Sequence, residues 1–289
     1  TVNTKATGSV TITIDGTDYI VPIVNGKAVL NVNGLVEGIH TVTVNYEGDE
    51  NFTESIITND FAISNVNASL NVIVGNITYG NNATIVVSTN DKATGTVTVT
   101  LNGKDYIETL VNGKATLSVS GLAAGDYTVT VKYDGDGNFN RSTIIKEFTV
   151  SKINPGIDVV AGNITYGNNA TVFVTMDARG NGAVNITVNG KTYTQTIKNG
   201  KVTLPISGLG AGIYKVTVSY DGDGNFTSAN AEIEFTVSAV NPNINIVTGN
   251  VNYGANATVT VTANTGVTGK VIIAVNGANH EVDIVNGRA

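Results

Sequence analysis

The side chains that could carry out chemistry in this sequence are few. There are two histidines, His40 and His280, and no cysteine, so disulfides, thiolate metal sites and cysteine nucleophiles are excluded. A nucleophilic Ser or Thr would need a base held beside it, and each histidine stands where other copies of a repeated segment carry tyrosine. We therefore expect both histidines to be structural, and we predict no catalytic residue, no cofactor and no enzymatic activity.

Two acidic, glycine-rich segments are the best candidates for metal ligation. Their oxygen-bearing residues are Asp134, Asp136 and Asn138 in one copy and Asp221, Asp223 and Asn225 in the other. Calcium takes six to eight oxygen ligands, usually with a glycine at the sixth loop position and a bidentate acid further along. Phe139 and Phe226 occupy that sixth position. Because Gly and Asp also supply the backbone angles of tight turns, we favour a strand-connecting turn and keep calcium as the alternative.

Asparagine and lysine offer two candidate modifications. Asn-x-Ser/Thr sequons begin in one shared register at Asn82, Asn169 and Asn256, which makes them candidates for glycosylation on a surface. Simple copying of the repeat would produce the same coincidence. Lysines after Asn-Gly pairs, at Lys27, Lys114 and Lys201, could join an isopeptide crosslink, but Arg288 takes the same register, which favours solvated turn lysines.

These residues recur because the sequence repeats. Tyr79, Tyr166 and Tyr253 lie in similar segments 87 residues apart, and the same offset aligns most of the chain. A fixed period over a whole chain indicates an array of like units. We predict complete repeats at residues 67–152 and 153–239, a partial repeat lacking its first strands at 1–66, and one lacking its last strands at 240–289.

Alternation of apolar and polar residues predicts that each repeat is built from short antiparallel strands. Asn102-Gly103 and Asn112-Gly113 lie between apolar runs and suit type I′ hairpin turns. In the second repeat we predict seven strands, at residues 70–74, 83–88, 96–101, 105–110, 115–119, 127–133 and 144–151. Seven short strands in 87 residues are typical of an all-β, immunoglobulin-like sandwich. Tyr127 and Tyr214 would start the penultimate strand and resemble the tyrosine corner, whose hydroxyl bonds to upstream backbone.

A longer pattern supports this fold. The pattern L-x-x-G-x-Y-x-V-x-V-x-Y-x-G-D-x-N-F occupies residues 122–139 and 209–226, and residues 35–52 carry it with His40 in place of the first Tyr. It resembles the group 3 bacterial Ig-like domains. Together with the segment N-I-T-Y-G-N-N-A-T, it is most similar to the adhesin-like surface proteins of methanogenic archaea. The resemblance covers the whole chain and implies tandem Ig-like domains, a surface stalk or attachment role, and no defined ligand.

The composition of the chain limits the kinds of binding partner that we expect. The net charge is −7, and no basic cluster is present, which argues against nucleic-acid binding. No apolar run reaches the ~18 residues of a membrane span. Charged residues make up only 13%, so a surface rich in Thr, Ser and Asn must provide the solubility.

We therefore predict an extracellular, cell-surface stalk or spacer within a long adhesin-like protein or fibre. Its partners would be neighbouring repeats, other copies in a fibre, and a host or partner-cell surface reached through regions outside this sequence. The short linkers, such as 151–155 with Pro155, favour a stiff array. One alternative is a weak multivalent module that binds carbohydrate or protein, which would call for exposed aromatic clusters. Another is an accessory domain of a secreted enzyme.

Overall fold

A computed structural model describes all residues from Thr1 to Ala289, and every regular element in it is a β-strand. The all-β class predicted from the sequence is confirmed. No helix of the length and hydrophobicity needed for a membrane crossing is present. The chain divides into two compact units, Thr1–Ile153 and Asn154–Ala289.

The first unit contains fourteen strands. They are β1 Ser9–Ile14, β2 Thr17–Pro22, β3 Gly38–Tyr46, β4 Ser55–Ile63, β5 Val66–Asn67, β6 Asn71–Ile73, β7 Ile77–Thr78, β8 Ala83–Ser88, β9 Thr96–Leu101, β10 Lys104–Thr109, β11 Lys114–Val119, β12 Gly125–Tyr133, β13 Phe139–Asn140 and β14 Ser142–Ser151.

The second unit contains twelve strands. They are β15 Asp158–Ala161, β16 Ile164–Thr165, β17 Ala170–Thr175, β18 Gly182–Val188, β19 Lys191–Ile197, β20 Lys201–Ile206, β21 Gly212–Tyr220, β22 Ala229–Ser238, β23 Asn245–Thr248, β24 Val259–Thr262, β25 Gly269–Val275 and β26 Ala278–Ile284.

Each of the two central repeats forms a sandwich of two sheets. In the first unit the sheets have the strand orders β10-β9-β12-β14-β7 and β11-β8-β6, and in the second unit the equivalent orders are β16-β22-β21-β18-β19 and β15-β17-β20. All seven strands predicted between residues 70 and 151 are present, with ends within two residues of the prediction. The two-residue strands β7 and β13 were not predicted from the sequence.

Asn-Gly turns set the register of the hairpins, as the sequence predicts. Asn102 and Gly103 have φ angles of 53° and 74°, so both central residues are left-handed, as in a type I′ turn. Leu101 and Lys104 on either side of them are paired. The turn therefore fixes which residues of β9 and β10 face each other, and with them which face of the hairpin is apolar.

The core of the second repeat comes from the alternation within its strands. On β9, Val97 and Val99 are fully buried, while the threonines between them are more exposed. Ile85 on β8 packs against this layer from the opposite sheet, and Val131 on β12 completes it. Complete burial of such a side chain contributes ~1.5–3 kcal/mol relative to exposure, so a few aligned rows hold the two sheets together.

The flanking segments are simpler. Residues 1–66 form one sheet of strand order β2-β1-β3-β4, and residues 240–289 form the two-stranded sheets β23-β24 and β25-β26. Residues 27–32 align with β11, which pairs with β8 in the second repeat, but they form no strand. In residues 1–66 no strand takes the place of β8, and the matching segment stays irregular.

We expect core and surface isoleucines of the third repeat to differ sharply in their effect on stability. Ile186 on β18 is fully buried and Ile213 on β21 is 70% exposed. Ile186→Ala should lower the free energy of unfolding by about 3 kcal/mol, because it leaves a cavity. Ile213→Ala should change it by less than about 0.5 kcal/mol. Native-state hydrogen exchange of the β18 and β21 amides would measure both, and equal losses would contradict this packing.

Candidate functional site

The acidic segment after β12 is a tight loop organised by one carboxylate. Asp136 Oδ1 accepts the backbone N–H groups of Asn138 at 2.8 Å and Phe139 at 2.9 Å. Its Oδ2 accepts the backbone N–H of Thr94 at 2.8 Å and the Thr94 hydroxyl at 2.9 Å. Asp136 thus closes its own loop and fastens that loop to the segment that leads into β9.

The electrostatics of the loop follow from these bonds. Burial acts to raise the pKa of Asp136, but the N–H groups of Asn138 and Thr94 outweigh burial and hold that pKa well below its usual range. Tyr133 lies beside the carboxylate, and its hydroxyl donates to the Thr94 carbonyl at 3.1 Å. Burial, with the nearby Asp136 charge, raises the pKa of Tyr133 to about 12. The loop therefore holds a fixed anion next to a neutral phenol.

The same arrangement recurs in the neighbouring copies. In the first repeat, Asp49 Oδ1 accepts the N–H groups of Asn51 at 2.8 Å and Phe52 at 3.0 Å. Its Oδ2 accepts the Thr7 N–H at 2.8 Å, and the N–H groups of Thr7 and Asn51 hold the pKa of Asp49 well below its usual range. In the third repeat, Asp223 Oδ1 accepts the N–H groups of Asn225 and Phe226 at 2.7 and 2.8 Å.

One glycine of the loop is required and the other is not. Gly135 has φ of +87°, and a Cβ there would lie 2.5 Å from the Phe139 carbonyl oxygen. Gly137 has open space around it and no left-handed φ. This difference explains why the first repeat keeps Gly48 at the first position and has Glu50 at the second.

The calcium candidates do not form a ligand cage. Both oxygens of Asp136 are already occupied by N–H and O–H donors, which a cation would have to displace. Asp134 and Asp221 are exposed side chains of the same loops. No group of three or more His, Cys, Asp or Glu side chains is placed to hold a metal ion. The geometry supports the interpretation of these segments as hydrogen-bonded turns.

The acidic loop of the second repeat also forms the joint with the first. The Asn138 carbonyl accepts the Val66 N–H at 3.0 Å, and β13 pairs in parallel with β5. Asn138 Oδ1 accepts the Glu37 N–H at 3.2 Å, and the Asn140 amide donates to Asn67 Oδ1 at 3.1 Å. Sequence reasoning missed this role, because the linker and the loop are more than 70 residues apart.

The tyrosine corners are present where the sequence predicts them. The Tyr127 hydroxyl donates to the Ala123 carbonyl at 3.0 Å, and the Tyr214 hydroxyl donates to the Gly210 carbonyl at 3.1 Å. His40, in the same register, is buried and reaches the equivalent carbonyl of Val36 at 2.8 Å from Nε2. His280 is exposed on β26.

The candidate modification sites lie at the surface. Asn82, Asn169 and Asn256 are exposed, and their accessibility is compatible with a glycan. They lie shortly before β8, β17 and β24, respectively. Lys27, Lys114, Lys201 and Arg288 are also exposed, each directly after an Asn-Gly turn. Their exposure favours the interpretation of solvated turn residues.

Comparison with known proteins adds a family and a set of folds. The sequence profile of the bacterial Ig-like domain (group 3) matches residues 70–151 and 158–238. Among solved structures, the chain is similar to fibronectin(III)-like modules of Clostridium thermocellum CbhA, at 14% identity and a TM-score of 0.25, covering 59% of this chain and 94% of that one. It is also similar to the titin domains z1z2 in complex with telethonin, at 13% identity and a TM-score of 0.38, covering 62% of this chain and 100% of that one.

We expect the two aspartates of the loop after β12 to differ in how much they stabilise the second repeat. Asp136→Ala removes four hydrogen bonds to an anion and should destabilise the second repeat by roughly 2–4 kcal/mol. Asp134→Ala, an exposed change two residues away, is the matched control and should cost less than about 0.5 kcal/mol. Hydrogen exchange of the β9 and β12 amides at neutral pH would measure both. Similar effects for the two variants would contradict the central role of Asp136.

We expect the stability of the chain to be independent of calcium. Because the Asp136 oxygens already accept N–H and O–H groups, excess chelator should leave the thermal unfolding midpoint unchanged. Titration with calcium should not raise that midpoint, whereas a ligand of the folded state would stabilise it by mass action. A shift of several degrees, absent in the Asp134→Ala variant, would show that the loops bind metal.

Proposed function

The chain belongs to the bacterial Ig-like domain (group 3) family, and we propose from this membership that it is a structural spacer. In this proposal the tandem Ig-like repeats form a stalk region of a long, cell-surface adhesin-like protein or extracellular fibre. The stalk holds a binding region away from the cell, performs no catalysis and binds no cofactor. Membership in the bacterial Ig-like family, whose domains are often extracellular, supports an extracellular location.

The observation that carries this proposal is the use of the repeated polar residues. A ligand site usually presents exposed, chemically distinct groups on loops that a rigid scaffold positions. In this chain the repeated acid, Asp49 in one copy and Asp136 in the next, accepts hydrogen bonds from backbone N–H groups of its own repeat. The repeated Tyr46 and Tyr133 bond to backbone carbonyls. These repeated acids and tyrosines thus have structural partners inside the repeat.

The joint between the first two repeats supports the same proposal. Linker residues Val66 and Asn67 are paired with Phe139 and Asn140 and leave no free spacer between the two segments. We propose that the units of the array are residues 1–66, 67–152, 153–239 and 240–289, with neighbouring repeats as their direct partners. Other copies in a fibre, and a host or partner-cell surface bound through regions outside this sequence, complete the proposed partners.

A shallow groove in the second unit favours a second candidate function. It has a volume of about 420 Å³ and is lined by Tyr166, Val240 and Pro242 together with Asn264 and Thr265. Tyr166 is 53% exposed. A flat ring beside amide and hydroxyl groups is chemistry that could contact a sugar, so weak multivalent binding through many repeats is the rival, since avidity multiplies low affinities.

A binding assay separates the two functions. In the assay the chain is immobilised at neutral pH. If it is a spacer, it should show no saturable binding to a panel of oligosaccharides and extracellular-matrix proteins at micromolar concentration. The rival expects saturable binding that Tyr166→Ala abolishes. Tyr253→Ala removes a fully exposed tyrosine of the same register outside the groove and is the matched control. Binding lost in the first variant and kept in the second would replace the spacer by a binding module.

A further inference from the structure

The first repeat differs from the next two at a pair of positions that touch. Its penultimate strand carries His40 where the others carry Tyr127 and Tyr214. The turn after β1 carries Asp15 where the equivalent turns carry Asn102 and Asn189. His40 Nδ1 lies 2.5 Å from Asp15 Oδ2, so the two substitutions form one interacting pair.

The hydrogen bonds of this pair require a charged ring. Nε2 faces the Val36 carbonyl at 2.8 Å, and a carbonyl oxygen can only accept. Nδ1 faces the Asp15 carboxylate, which also only accepts when ionised. A neutral imidazole has one N–H and can satisfy one of these acceptors. Both contacts are satisfied together only when His40 is protonated.

The surroundings of the ring agree with a positive charge. The ring is buried and stacks on Phe61 of β4, with the two centroids 5.4 Å apart. The charged side chains on the elements packed around it are all acidic: Asp15 and Asp18 on the β1–β2 hairpin, Glu37 before β3 and Asp60 on β4. The Asp15 hydrogen bond, then the Val36 carbonyl, raises the pKa of His40, and the His40 contact lowers the pKa of Asp15.

The pair contacts Val36, the residue next to the joint between the first two repeats. His40 holds the carbonyl of Val36, and the next residue, Glu37, donates its N–H to Asn138 Oδ1 of the second repeat at 3.2 Å. Gly38 follows with φ of +143°, a conformation that suits glycine. The short segment 36–38 therefore connects the imidazole ring directly to the second repeat.

We propose that protonated His40 fastens the joint between the first and second repeats, so that this joint loosens as the pH rises. The sign follows from linkage. The His40 contribution is complete below its unfolded pKa of about 6.5 and is lost as the pH rises through its raised folded value. The Asp15 contribution is present above about pH 3.8 and is lost as the pH falls through its lowered folded value. The joint is firmest in mild acid, between about pH 4 and 6.5.

The test is an NMR titration of the full chain, reading the His40 ring signals and the exchange protection of the Glu37 and Val66 amides, corrected for intrinsic rates. Protection of both amides should fall several-fold over the pH range in which His40 loses its proton. In Asp15→Asn, which installs the residue of the other repeats, the His40 midpoint should fall by about 0.5–1 pH unit. The protection step should move with it.

The double variant Asp15→Asn/His40→Tyr restores the pair of the second and third repeats and is the control. It should fold and show no protection step at Glu37 or Val66 between pH 5 and 8. Amides of β9 report unfolding of the second repeat and should not change in any variant. A His40 midpoint that Asp15→Asn leaves unmoved, or a protection step that persists in the double variant, would overturn the proposal.

Discussion

The packing of two small sheets over a core of Val, Ile, Leu and Ala, with a few buried Tyr and Phe, is the interaction on which the rest of each complete repeat depends. With neither Trp nor Cys in the chain, no large indole and no disulfide can compensate for a poor fit. Small β-branched side chains such as Val97 and Val129 must interdigitate closely, because a void costs their dispersion contacts outright. That requirement fixes the register of every strand, and with it the positions of the turns.

Hydrogen bonds from polar side chains hold the loops, which the apolar core does not fix. Asp136 and Tyr133 bind the loop after β12 to Thr94, about 40 residues earlier and just before β9. An ionised acceptor makes stronger hydrogen bonds than a neutral one, which suits a loop that has to hold a linker as well as itself. The same loop that resembles a cation site in sequence is, in three dimensions, an internal clamp and part of a joint.

Local sequence patterns predict most of the strands. The features that they do not predict are those formed by contacts between residues far apart in the sequence. The strands Ala83–Ser88 and Thr96–Leu101 were predicted to the residue because alternation and Asn-Gly turns are both local signals. Strand β7 has two residues and pairs in parallel with β14, more than 70 residues away, so nothing local marks it. Thr94, the distant partner of Asp136, lies 42 residues away and is likewise not marked by any local pattern. The contact between Asp15 and His40 could have been predicted from the sequence, because both residues differ from their equivalents in the other repeats and both do so in the first repeat.

The similarity of the repeats, which makes the fold easy to recognise, also creates a competition during folding. The segments 76–84 and 163–171 have the same sequence, and the strands that begin at their ends, β8 (ATIVVS) and β17 (ATVFVT), alternate buried and more exposed residues in the same register. The partner of β17, which is β20, is therefore a competing partner for β8. Loop-closure entropy separates the two choices only weakly, by about 0.6 kcal/mol for each doubling of the loop. Correct pairing in such an array therefore depends on the order in which the ribosome releases the strands. Each sandwich can close before its twin exists, whereas refolding of the complete chain exposes every strand to its copy at once.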